Sequence, residues 1–314
     1  MTRTLGGRLP PAEMFPAGRA GHEVRWLTLP SGLRLRAVAC EPEPGTELPD
    51  APPVVFVHGW ACSIYTWRRN LRAVADAGAR VFAFDLTGHG LSDKPLDYRW
   101  YSVPAQAQQL REVLDGLGLD RVLLVGHSMG AAISLRLAID TPERVAGLVL
   151  AAPVGFGAIS LMRYLAAITP PPVEAILPYI AQRWWFRVGL WRAYGRLGHA
   201  SARDVDEYYA PTQFPAFLRI LCRLSRAFTW TAGDPAELGR VRCPTTVLFA
   251  GRDHLVKHDS CRPFVRCLPH AEVKVEPQAG HTLAEEAPGL VNEAVLRTLR
   301  ELASSSVAPS VAMG

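Results

Sequence analysis

The chain is predicted to fold as an α/β protein, a mostly parallel sheet of eight strands with helices on both faces. Three observations point there. Short continuous apolar runs recur, such as "PPVVFVHG" (52–59) and "RVLLVGHS" (121–128), as expected of strands covered on both faces. Segments of helical period separate them, which implies crossover connections and a parallel sheet. The alternation then breaks once, over 155–239, where only helical patterns appear.

In chain order, "HEVRWLTL" (22–29) and "LRLRAVAC" (33–40) alternate polar and apolar residues around Pro30-Ser31-Gly32, the pattern of a hairpin. The buried-strand runs follow at 52–59, 79–86, 121–128, 144–153 and 244–251, with a last strand at 271–277. Helices are expected over 67–77, 105–117 and 131–139, and from about residue 285 to 302. The pattern divides the chain into an α/β core (21–154 and 240–303) and an inserted helical cap (155–239). Flexible tails are expected at 1–20 and 304–314, which are rich in Gly, Pro, Ser and Ala.

Composition bounds the function classes. With 314 residues, 49% hydrophobic and 20% charged, the chain can bury a large core. The net charge of +5 is almost all arginine, and the arginines are scattered, so no nucleic-acid partner is expected. The six cysteines (40, 62, 222, 243, 261, 267) have neither CxxC pairing nor metal-ligand spacing and read as thiols. No signal-peptide h-region and no long apolar run appear, so a cytoplasmic protein without an integral membrane segment is expected.

The stretch "VLLVGHSMGAAISLRLA" (122–138) places Ser128 between Gly126 and Gly130, where a strand turns into a helix. Such a turn lies at the carboxyl end of the sheet, where open α/β sheets bind ligands. Missing side chains at i−2 and i+2 let strand and helix approach, and the helix N-terminus favours developing negative charge. A bare helix cap is the bland alternative. As a nucleophile the serine needs a base and an orienting carboxylate. Asp253, after the run ending at 250, and His281, after the last strand, follow in the expected order. Asp85, His58, His89 and His127 read as structural hydrogen-bonding groups. His254 and His258 have helical metal-pair spacing but no third ligand, so neither metal nor cofactor is expected. Two backbone N–H groups should meet the oxyanion: Met129 after the serine, and Trp60 in the His58-Gly59-Trp60 turn.

Together H-G-W, D-L-T-G-H-G-L-S-D, G-H-S-M-G, G-R-D-H-L-V and G-H-T-L-A-E-E-A-P resemble the α/β-hydrolase superfamily across residues 23 to 302. The resemblance is nearest to bacterial carboxylesterases and cofactor-free perhydrolase-like members. It implies Ser128 as nucleophile, Asp253 as acid, His281 as base, and Trp60 and Met129 as oxyanion donors. Serine at the elbow departs from haloalkane dehalogenases and epoxide hydrolases, which place aspartate there. Ala131 and Thr282 depart from cofactor-free C–C bond hydrolases, which resemble S-x-G-G at the elbow and carry tryptophan after the base.

The expected activity is cleavage of a small-molecule carboxylic ester with apolar small-to-medium groups. Lactone, thioester or C–C cleavage, perhydrolysis and acyl transfer remain alternatives, as does a non-catalytic ligand-binding protein. In the cap, "RWWFRVGLWRAYGRL" spaces Trp184, Val188 and Trp191 on one apolar face. These tryptophans are expected to line an acyl pocket. The alternatives are a cap core, or a basic amphipathic helix in peripheral lipid contact. Arg219, Arg223 and Arg226 share one face of a second helix and read as solvated. Oligomeric state is not legible.

Overall fold

The computed structural model describes residues 8–154, 160–256, 266–268 and 270–306. Its strands are β1 Glu23–Thr28, β2 Arg34–Cys40, β3 Val54–Val57, β4 Val81–Phe84, β5 Val122–His127, β6 Val145–Ala151, β7 Thr245–Ala250 and β8 Glu272–Glu276. They form one eight-stranded sheet in the order β1-β2-β4-β3-β5-β6-β7-β8. The β1–β2 and β2–β4 pairs are antiparallel, and every other pair is parallel. All eight expected strands are present, so the α/β-hydrolase fold expectation holds.

Alternation along each inner strand feeds two cores. Val55 and Val57 point with Phe82, Phe84 and Leu124 toward one layer of helices, α2 (Val103–Gly116) and α3 (Met129–Asp140). Val54 and Phe56 point with Val81, Leu123 and Val125 toward the other, α1 (Leu71–Asp76) and the C-terminal helix Pro288–Ser306. With both faces covered, β3 and β5 are buried along their whole length, which is why their sequences read as unbroken apolar runs. The last helical stretch begins earlier than expected and is divided into Leu283–Glu286 and Pro288–Ser306. Pro288 has no N–H to donate and disfavours helical geometry at Ala287, so the break falls there.

Between β6 and β7 lie α4 Ser160–Ile168, α5 Pro171–Ile180, α6 Arg183–Ala193, α7 Ala202–Tyr209, α8 Pro215–Ala227 and α9 Pro235–Leu238. No strand occurs there among the described residues. Helix α8 is the hub on which α4 and α5 pack, and α6 packs on α7. Helix α7, unforeseen from periodicity, starts with a capping box in which Ser201 and Asp204 satisfy each other's backbone N–H groups.

The expectation of a flexible N-terminal tail over 1–20 needs correction for the residues described. Met14 and Phe15 are buried, 2% and 6% exposed. The Phe15 N–H donates to Glu207 of α7 at 2.8 Å, and its carbonyl accepts from Arg36 of β2 at 3.0 Å. Two apolar side chains in a polar, proline-rich stretch are enough to seat the segment across cap and core. At the other end, the final helix continues to Ser306, so the residues described beyond 303 are helical; residues 307–314 lie outside the described part.

Candidate active site

Strand β5 ends in a turn that puts Ser128 at φ 52°, ψ −116°, in the left-handed half of the map where L-residues are strained. The turn tolerates this because its neighbours lack side chains. A Cβ on Gly126 would lie 2.7 Å from the Ala131 Cα, and one on Gly130 would lie 2.1 Å from the Val57 carbonyl oxygen. The Ser128 N–H is tied back to the Ala151 carbonyl of β6 at 3.1 Å. Ser128 is 5% exposed.

His281 and Asp253 come from the loops after β8 and β7. His281 Nε2 lies 2.9 Å from Ser128 Oγ, and Nδ1 lies 2.7 Å from Asp253 Oδ2. With Nδ1–H donating to the carboxylate, the Nε2 lone pair faces the serine hydroxyl. Burial alone would raise the Asp253 carboxyl. The adjacent His281, with backbone N–H donors from Val256 and Leu255, outweighs that and holds it below its ordinary value. Asp253 therefore stays ionised. Such a chain can strip a proton from Oγ while an ionised acid steadies the resulting imidazolium.

Met129 is the first residue of α3, and Trp60 lies in the loop after β3. Among the described residues, the N–H groups of Met129 and Trp60 donate to no turn, loop or cap acceptor. Gly59, just before Trp60, passes so near the elbow that a Cβ there would sit 3.0 Å from Ser128 Cβ.

The other motif residues hold backbone. Asp85 pairs with Arg36 at 2.7 Å and accepts the N–H groups of Ile64 and Leu91, each at 2.8 Å. His58 Nε2 accepts the Leu86 N–H at 3.0 Å while Nδ1–H donates to the Gly59 carbonyl at 2.8 Å. His127 Nε2–H donates to the His281 carbonyl at 2.8 Å, fastening the loop that carries His281. Burial lowers both His89 and His127 to about 3, so these imidazoles are neutral.

Supports missed from sequence lie in Glu285 and Glu286, which end the G-H-T-L-A-E-E stretch. Glu286 accepts the Gly280 N–H at 2.9 Å, the Thr282 hydroxyl at 3.0 Å and the Gly195 N–H at 2.8 Å. The histidine loop is thereby tied to the end of α6. Glu285 pairs with Arg68 at 2.6 Å and accepts the Tyr194 hydroxyl at 2.8 Å and that of Tyr208. Arg68 also meets Asp204 of α7 at 2.8 Å. Two adjacent carboxylates in an apolar context, just after His281, were the available signal.

Two cap expectations are corrected. Trp184 and Trp191 are 62% and 73% exposed and lie on the solvent side of α6. The aromatics that α6 turns inward are Trp185 and Phe186, which gather with Trp60, Phe214 and Phe217. Both faces of α6 are apolar, so periodicity could not say which one meets the core. Arg219, Arg223 and Arg226 are not simply solvated. They converge on Glu174 of α5, itself 4% exposed, with Arg223 at 2.7 Å. Among the described residues no group of three or more His, Cys, Asp or Glu could hold a metal; His254 is described, and His258 lies outside those residues. Cys40, Cys62, Cys222, Cys243 and Cys267 are free thiols; Cys261 is outside the described part. No helix among the described residues is long and apolar enough to cross a membrane.

Residues 52–288 match the family model for the alpha/beta hydrolase fold, and the chain belongs to that family. Its relatives include several hydrolases. A haloalkane dehalogenase of Mycolicibacterium paratuberculosis is 28% identical over 258 residues, covering 79% of this chain and 83% of its own. The dihydrolipoyllysine-residue acetyltransferase component of the acetoin cleaving system of Pseudomonas putida is 31% identical over 252 residues, 79% of this chain. This chain spans 64% of that relative's length. Among solved structures, carboxylesterase CesB of Bacillus subtilis superposes with a TM-score of 0.74 at 21% identity, covering 92% of this chain and 94% of its own. At that identity the likeness concerns the fold.

Proposed function

We propose that the chain is a serine hydrolase that cleaves carboxylic esters with apolar, small-to-medium groups through an acyl-enzyme. The reading is carried by one observation, the unbroken hydrogen-bonded series from Asp253 through His281 to Ser128, at 2.7 and 2.9 Å. Ser128 Oγ attacks the ester carbonyl carbon while His281 Nε2 takes its proton. The tetrahedral oxyanion accepts from the Trp60 and Met129 N–H groups. Collapse breaks the bond to the alkoxide, which leaves with the proton from Nε2. Water then attacks the acyl carbon, again giving its proton to His281, and the acid is released with Oγ reprotonated. Asp253 holds Nδ1–H so that Nε2 always faces the reaction. No metal or cofactor enters these steps.

Choice of an apolar acyl group is supported by the cluster around Phe217, against which Trp60, Trp185, Phe186 and Phe214 pack. Serine at the elbow sets the chain apart from the aspartate that the dehalogenase resemblance carries. The test is Ser128→Ala assayed on a p-nitrophenyl butyrate substrate. A loss of at least about 10³-fold in kcat with an unchanged melting temperature is expected. Retained turnover, or failure of the wild type to react with a fluorophosphonate, refutes the proposal. Lactone and thioester substrates assayed in parallel decide whether the ester is the preferred acyl donor.

A further inference from the structure

The cap exposes an unusual amount of apolar surface. Fourteen large hydrophobic residues are exposed among the described ones, and nine of them fall between Tyr164 and Leu197. They are not scattered. On α5, Ile176, Tyr179 and Ile180 are 56%, 79% and 48% exposed at i, i+3, i+4; on α6, Trp184, Val188 and Trp191 are 62%, 44% and 73% exposed at i, i+4, i+7. Each set is one helical face. Only Ala181 and Gln182 separate the two helices. Tyr164 and Ile168 repeat the pattern on α4, at 62% and 47%. The opposite sides of these helices are already occupied, by α8 in the case of α4 and α5 and by α7 in the case of α6. A helix apolar all round belongs in a core or against another apolar phase.

Charge says which phase. From residue 160 to 200 the sole carboxylate is Glu174, buried beneath Arg219, Arg223 and Arg226. The same stretch carries Arg163, Arg187, Arg192 and Arg196, all exposed and without an ion-pair partner among the described residues. Apolar faces rich in Trp and Tyr, edged by uncompensated arginines, match the layering of an anionic bilayer. Aromatics sit at the headgroup level and cations meet the phosphates. A second copy of the chain would instead bring arginines against arginines.

We propose that the outer face of α4–α6 docks on an anionic phospholipid surface, with Tyr179, Trp184 and Trp191 inserted and Arg187 and Arg192 on the headgroups. This surface involves none of Ser128, Asp253 and His281 and does not depend on the chemistry assigned there. The experiment is co-sedimentation of the full chain with vesicles of phosphatidylcholine, with and without phosphatidylglycerol. Binding to the anionic vesicles is expected, weaker on the neutral ones and weakened by salt. Arg187→Gln with Arg192→Gln should lower affinity about 25-fold, taking about fivefold for each surface arginine. Tyr179→Ser with Trp191→Ser should lower it by about tenfold or more. Both double variants should keep the wild-type melting temperature and hydrolysis of a water-soluble aryl ester. Failure of the folded wild type to bind either vesicle overturns the proposal, as does undiminished binding by the two variants. A dimer in sedimentation velocity that Tyr179→Ser and Trp191→Ser dissociate, without vesicle binding, assigns the face to a second copy and overturns it as well.

Discussion

Replacing Gly130 by alanine tests the elbow through a sign. Gly130 lies in the first turn of α3, and in an ordinary helix alanine is more stable than glycine by about 0.8–1.0 kcal/mol. Here the added Cβ would sit 2.1 Å from the Val57 carbonyl oxygen and 2.6 Å from that of His58, both backbone atoms at the end of β3. Neither can rotate away, so α3 and β3 must part by roughly an ångström to reach ordinary contact. Overpacking of that kind costs about 1–3 kcal/mol and reverses the helix preference. It also separates Ser128 and the Met129 N–H from the loop carrying Trp60, and a misplacement of about 1 Å costs on the order of 10²-fold in rate. The matched control is Gly189→Ala in α6, where a Cβ meets nothing within 4 Å and alanine should stabilise. Denaturant midpoints and kcat/KM on an aryl ester for both variants are the assay. If Gly130→Ala were as stable and as active as Gly189→Ala, the close approach of helix and strand would be wrong, and with it the elbow geometry.

Asp253→Asn should lower kcat about 10³–10⁴-fold by favouring the wrong His281 tautomer, with KM changed by less than about threefold; a large KM effect would instead place Asp253 in substrate contact. Acid should unfold the protein through its buried neutral histidines. Burial depresses His89 and His127 to about 3, well below the unfolded-chain value, so the unfolded state binds more protons and stability falls as pH drops through that window. His89→Asn should remove about 1.4 kcal/mol per pH unit from the slope of stability between about pH 4 and 6; an unchanged slope in denaturant titrations would show that His89 charges in the folded state.

The legible part of the protein was local. Val54–Val57 and Val122–His127 announce themselves because each is buried on both faces, and continuous burial demands a continuous apolar run. Ser128 was found because a tight strand-to-helix turn needs small neighbours on both sides, a requirement written within five residues. Asp253 and His281 were named by their positions after strands, but the 2.7 and 2.9 Å contacts join segments 28 and 153 residues apart. Those contacts depend on β5, β7 and β8 ending at one edge of the sheet.

Less legible was anything that depended on a partner chosen by the fold. Phe15 sits in a stretch whose composition suggests a loose tail, yet it reaches Glu207 across 192 positions. Glu285 looks like a surface helix residue and is buried against Arg68, Tyr194 and Tyr208.

By itself, then, the sequence determined the strand and helix alternation, the inserted helical segment, and a serine, an aspartate and a histidine at strand ends in fixed order. These follow from burial patterns and turn sterics, which act over a few residues. Tertiary structure alone decided which side of each cap helix is inside. Trp185 and Phe186 turn inward onto the Phe217 cluster that Trp60 also packs against, while Trp184 and Trp191 face solvent, and Arg219, Arg223 and Arg226 close on Glu174. The period of a helix reveals that a face is apolar or charged, but what that face meets is set by elements distant in the chain.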